Sequence, residues 1–179
     1  SAVIDDVHSK FGGTSLWLPT GGSYLSLGAG DFATPDVFTF ECWFRPDDLS
    51  LNPCIVSNKE SNGLNGYWVA YVTTAGLFEV QFRNTIGQQY FLRSASGYIS
   101  TDTWYHLRVT KDNGTARLFI DGTLIDSNLT LSGTFGSTNN DELYVGGFLF
   151  PGTNLFWDGW LDDVRYTDGV VRGDGTSFT

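Results

Sequence analysis

The stretch Gly159-Trp160-Leu161-Asp162-Asp163-Val164-Arg165-Tyr166 decides how this chain is read. Side chains on a strand alternate with a period of two, so Leu161 and Val164 cannot share one face of a flat strand. Counted from Val164, one apolar face holds Trp160, Val164 and Tyr166, and Asp162 points the same way. An acid among apolar neighbours needs a partner, because an unpaired buried carboxylate is strongly destabilising or gives up its charge. Arginine, backbone amides or a calcium ion would each serve.

Working outward, Val37–Pro46 carries the strongest strand signal. Phe38, Phe40, Cys42 and Phe44 fall on one face, and Thr39, Glu41, Trp43 and Arg45 on the other. Burying the first set is worth about 6–12 kcal/mol before conformational entropy is set against it. Further short runs are expected at Tyr67–Thr73, Leu77–Arg83, Gln88–Ser94, Trp104–Lys111 and Thr115–Ile120. In the second of these, Phe78, Val80 and Phe82 face inward and leave Glu79, Gln81 and Arg83 as a polar face, a candidate for function. Asn113-Gly114 and Asp121-Gly122 supply the positive φ that tight hairpins require. Phe148–Leu155 reads as a loop. No segment carries a sustained helical period with caps, so the expected class is all-β, an antiparallel two-sheet sandwich with very little helix.

Composition agrees. Hydrophobic residues make up 41% of the 179, and charged residues only 17%, enough to build a core. The net charge of -10, with 10 basic residues against 20 acidic, argues against a nucleic-acid partner. No apolar run reaches the ~18 residues of a membrane-spanning helix, so membrane insertion is not expected. With no Met, even at position 1, the chain reads as a piece of a longer polypeptide. Cys42 and Cys54 are expected as packed thiols, because a hairpin register would set Cys42 nearer Ser57 than Cys54.

Several blocks together resemble a known family. They are Ser9-Lys10-Phe11-Gly12, Tyr24-Leu25, Phe38-Thr39-Phe40-Glu41-Cys42-Trp43, Trp104-Tyr105-His106-Leu107-Arg108-Val109 with Leu118-Phe119-Ile120-Asp121-Gly122, and the closing stretch through Gly169-Val170-Val171-Arg172. Their order resembles laminin G-like jelly rolls of the concanavalin A-like lectin and glucanase superfamily, most of all the copies in phage structural proteins. The resemblance implies one sandwich domain over 1–179, with 1–8 as a lead-in segment.

It further implies a structural calcium tying the last strand to the N-terminal region. Asp162 would give the carboxylate and Gly22 a backbone carbonyl, with Asp5 or Asp6 as a further oxygen. Calcium takes roughly six to eight oxygens at about 2.3–2.6 Å, water among them. The alternative is Asp162 held by backbone amides or by arginine. Asp163, one step along, is expected to face solvent.

Glycan recognition needs aromatic faces beside amides and charged groups. Loop aromatics that strand alternation does not require are the candidates: Phe150 and Trp157 beside Asn154, together with Phe148 and Phe156, and Tyr67 with Trp68 beside Asn65. Glucanases on this scaffold carry carboxylates at alternate positions of one strand, and a retaining pair stands about 5–5.5 Å apart. Glu79 has Gln81 and Arg83 as same-face neighbours, and Glu41 has Trp43 and Arg45, so no enzyme is expected. His106 and His8 read as structural.

The expectation is a non-catalytic carbohydrate-recognition module on a phage virion exterior (tail fibre, spike or capsid appendage) that contacts host cell-surface polysaccharide. Other virion proteins are expected partners, with homo-oligomers formed through a larger chain. The alternative is a decoration domain acting through protein contacts alone, and a glycoside hydrolase ranks behind both.

Overall fold

The alternation of Val37–Pro46 is realised in full. Phe38, Phe40, Cys42 and Phe44 are completely buried, and the strand they form is the middle of a sheet. The computed structural model describes residues 1–19, 21–29, 36–58, 66–128, 130–135, 142–150 and 153–173, the side chains of 29 and 150 excepted. Among them there is no helix. The strands in chain order are β1 (Val3–Asp5), β2 (Ser15–Leu18), β3 (Leu25–Ala29), β4 (Val37–Pro46), β5 (Cys54–Ser57), β6 (Tyr67–Val72), β7 (Phe78–Arg83) and β8 (Gln89–Arg93). They continue with β9 (Tyr105–Asp112), β10 (Thr115–Ile120), β11 (Thr123–Asn128), β12 (Glu142–Val145), β13 (Gly147–Phe150), β14 (Thr153–Phe156) and β15 (Gly159–Asp168).

Two antiparallel sheets face each other. One has seven strands in the order β1-β2-β15-β4-β9-β10-β11, the other six in the order β3-β12-β5-β6-β7-β8. The core between them joins Phe38, Phe40 and Phe44 from one sheet to Trp68, Phe78, Val80 and Phe82 from the other. Phe38 and Phe40 both touch the Trp68 ring, at 5.0 and 5.7 Å between centroids. The chain's last strand lies between β2 and β4, so the two ends of the chain meet inside one sheet.

The structure corrects two expectations. On β15 the inward residues are Leu161, opposite Phe44, and Tyr166, opposite Phe40, five positions apart. An odd separation is allowed because a β-bulge lies between Asp162 and Arg165, with Asp163 at φ 45°. Trp160 and Asp162 therefore face outward, opposite Arg45 and Trp43, and Val164 is 39% exposed. Second, Phe148–Leu155 is no loop. It forms the β13–β14 hairpin, with Phe148 paired to Leu155. These two side chains close a second apolar cluster over Cys54, Tyr67 and Val69 on the outside of the six-stranded sheet. Burial there gives the hairpin its inward face, which the sequence alone does not reveal.

Candidate functional site

The outward half of the β4 alternation builds a cleft. Trp43 stands opposite His106 of β9, their rings 5.0 Å apart, and Glu41 stands opposite Arg108. Arg108 donates from Nε to Glu41 Oε1 at 2.7 Å, and its Nη2 lies 2.6 Å from the same oxygen. From the other neighbouring strand, the bulge sets Arg165 opposite Glu41. Lys10 closes one wall, its Nζ 4.2 Å above the Trp43 ring, while Phe11 meets that ring edge-on at 5.6 Å.

At the opposite end, the Asp121-Gly122 turn is fastened to β9. Asp121 Oδ1 accepts the His106 N–H at 2.7 Å, and the Asp121 N–H donates to the His106 carbonyl at 2.9 Å. Burial keeps the His106 imidazole below its ordinary value, so it is neutral at pH 7 and offers one donor and one acceptor.

The chain beyond β15 completes the site. The Thr39 hydroxyl donates to the Val170 carbonyl at 2.8 Å and accepts the Arg172 N–H at 2.9 Å, drawing the segment back across the sheet. Arg172 Nε then reaches to 3.1 Å from Glu41 Oε2. The resulting cleft, about 650 Å³, is lined by Lys10, Trp43, Trp104, His106 and Arg165, among others. It presents aromatic surface beside charged groups.

Asp162 lies at the cleft's edge but is turned elsewhere. Its Oδ2 accepts the N–H groups of Lys10 and Phe11, both at 2.8 Å, and its Oδ1 accepts the Asp163 N–H at 2.8 Å. Gly22 is not beside it. Gly159 pairs with Leu18 and Leu161 with Leu16, so the chain running on toward Gly22 moves away from Asp162. Gly22 instead abuts Phe156, whose ring would lie 3.3 Å from a Cβ built there.

Backbone N–H groups already donate to both carboxylate oxygens, the places a cation would take. Among the described residues no three His, Cys, Asp or Glu side chains gather. This donor set does not fit a calcium shell.

Asp5 has another task. Its Oδ2 accepts Trp160 Nε1 at 2.5 Å, and His8 Nδ1 lies 3.1 Å from the same oxygen. Partial burial opposes its charge, but the bonds from Val7, His8 and Trp160 outweigh that and hold the carboxyl below its ordinary value. Asp6 is exposed.

The five expected sugar-contact residues do not form one platform. Trp68 and Trp157 are 0% exposed in the main core, with Trp157 edge-on to Phe44 at 5.8 Å. Tyr67 is buried beneath the β13–β14 hairpin, 6.4 Å from Phe148. Asn154 is exposed, at a separate cavity of about 210 Å³ walled by Phe156, Trp157 and Asp158. The Phe150 side chain and Asn65 lie outside the described residues.

The cleft residues Trp43, Trp104, His106, Arg108, Arg165 and Arg172 were not singled out as ligand contacts from the sequence. The available signal was the outward face Thr39-Glu41-Trp43-Arg45 and its neighbour Trp104-His106-Arg108, which register places side by side. Cys42 and Cys54 are free thiols, buried in the main core and in the second cluster respectively.

No curated protein matches the chain. Among solved structures, domain 4 of an extracellular arabinanase from Geobacillus stearothermophilus, in complex with arabinotriose, superposes with a TM-score of 0.70 at 18% identity, covering 100% of this chain and 77% of that one. Mouse laminin α1 domains LG4-5 give 0.69 at 15% identity, over 92% and 44%. A carbohydrate-binding module (CBM40) of the Ruminococcus gnavus IT-sialidase, bound to α2,3 sialyllactose, gives 0.62 at 20% identity, over 77% and 79%. At these identities the likeness is one of fold. Residues 19–174 match the family described as the Concanavalin A-like lectin/glucanases superfamily, and the chain belongs to it.

Proposed function

We propose that this domain is a non-catalytic carbohydrate-recognition module that holds a glycan in the cleft over β4 and β9. The observation that carries this reading is the convergence of the half-buried Trp43 and Trp104 rings with Arg165, Arg172 and neutral His106 in one open cleft. Aromatic faces take the C–H surface of a sugar, and the fixed polar groups take its hydroxyls. Two solved structures of the same fold contain bound sugars, arabinotriose in one and sialyllactose in the other, which supports the class of ligand. The resemblance of the closing stretch to phage structural proteins extends the proposal to a virion exterior, where the domain attaches to host-surface polysaccharide.

A glycan array with the folded protein tests the reading. Hits are expected, and Trp43→Ala should weaken them at least about tenfold, the worth of one ring–sugar contact at ~1.4 kcal/mol. Trp104→Ala gives a second, independent variant, and thermal melting confirms that each is folded. An array without hits sinks the proposal. One feature favours the rival, a domain acting through protein contacts. The lead-in strand β1 exposes Val3 and Ile4 at the sheet edge, with Val7 exposed just beyond it. An empty array together with self-association lost on Ile4→Lys would support that role.

A further inference from the structure

We propose that the ligand of the β4–β9 cleft is an acidic saccharide, one bearing a carboxylate or sulfate that sits between Arg165 and Arg172. This rests on the reading of the cleft as a sugar site and adds the ligand's charge. The chain has only 10 Lys and Arg residues and a net charge of -10. Four of those cations, Lys10, Arg108, Arg165 and Arg172, line this one cleft, against the three carboxylates Glu41, Asp121 and Asp163. With Asp162 at the cleft's edge added to these carboxylates, four cations meet four acids, so the cleft is locally balanced on a strongly negative protein. Charges farther away than about 8–10 Å are largely screened at physiological salt, so the local balance decides what binds.

The arrangement of partners sharpens the point. Glu41 is buried and stands between two guanidinium groups, Arg108 on one oxygen and Arg172 on the other. One carboxylate balances one of them, and the Arg172 side chain, 44% exposed, carries the surplus toward solvent. Arg165 is in register with Glu41 from β15 and is 45% exposed. Its distance to Asp163, 3.7 Å, is an ion pair too long for a hydrogen bond. Two half-exposed guanidinium groups flanking one buried acid offer the forked donors that match carboxylate or sulfate oxygens. Trp43, two positions along β4 on the same face, lies about 6–7 Å from that point. An acid group held by the arginines therefore lays its own sugar ring toward Trp43, with Lys10 above it.

Calorimetric titration with matched pairs tests the inference: galacturonate oligomers against their methyl esters, and sulfated against desulfated oligosaccharides. The acidic member should bind at least about tenfold tighter at low salt, and the ratio should shrink as salt rises. Arg165→Gln and Arg172→Gln should each pull the acid-to-neutral ratio toward one, whereas Arg93→Gln on the other sheet should leave it unchanged. Melting temperatures show whether the variants are folded. Equal affinity for acidic and neutral members, with Trp43→Ala abolishing both, overturns this inference and leaves the sugar site standing. An acid preference untouched by either arginine variant overturns the assigned residues. No binding of any member overturns both proposals.

Discussion

Three backbone N–H groups converge on the Asp162 carboxylate, two of them from Lys10 and Phe11, more than 150 residues away in the chain. The side chain acts as a clasp between the N-terminal segment and the last strand. Hydrogen bonds to a charged acceptor contribute about 1.5–3 kcal/mol, and partial exposure places this set at the low end. Asp162→Ala should therefore cost about 1–3 kcal/mol, seen as a drop of about 2–4 °C in Tm for each kcal/mol. Chelator should leave the wild-type Tm unchanged. A chelator-dependent drop in the wild type that is absent from the variant would show that a cation is the partner instead. Strict alternation places Asp162 on one face with Trp160, Val164 and Tyr166, a grouping that the bulge breaks by turning Tyr166 inward and Asp162 outward. Which partner it finds is not legible in the sequence, because Lys10 and Phe11 become its neighbours only when the chain ends meet.

At the level of elements, β15 shows what a strict period of two misses. The bulge at Asp163-Val164 lets Leu161 and Tyr166 both reach the core and turns Asp162 outward, where the Lys10 and Phe11 amides lie. The same strand opens on Gly159 at φ 140°, where a Cβ would fall 2.2 Å from the Arg45 carbonyl oxygen. Backbone cannot yield there as a flexible side chain would. Gly159→Ala should destabilise by about 3 kcal/mol or more in urea unfolding, well above the usual cost of an exposed substitution. A loss under ~1 kcal/mol would mean that β15 can shift away from β4. The β4 strand itself was readable in advance, because its inward residues are uniformly apolar. The β13–β14 hairpin was not, because its inward side chains Phe148 and Leu155 owe their burial to another sheet's outer surface.

Across the whole molecule, the two cysteines mark two separate apolar compartments. Cys42 faces the sandwich core, and Cys54 lies in the cluster under the hairpin, beyond the six-stranded sheet. Burial pushes both thiols well above their ordinary value, so neither supplies thiolate near neutral pH. Alkylating reagent should modify neither in the native protein and both across the unfolding transition. Labelling of Cys54 at denaturant concentrations where Cys42 stays protected would show that the hairpin lifts before the sandwich opens.

By itself the sequence determined the all-β class and the inward faces of β4 and β7. Those features follow from local alternation, from turn residues and from the order of short blocks, all of which are written along the chain. Tertiary structure alone decided the bulge in β15, the partners of Asp162, and the gathering of Lys10, Trp43, His106, Arg165 and Arg172 into one cleft. Each of these depends on which strands lie side by side and at what register. A side chain's outward direction can be counted from its neighbours in sequence, but the company it keeps there is set by pairing between segments far apart in the chain.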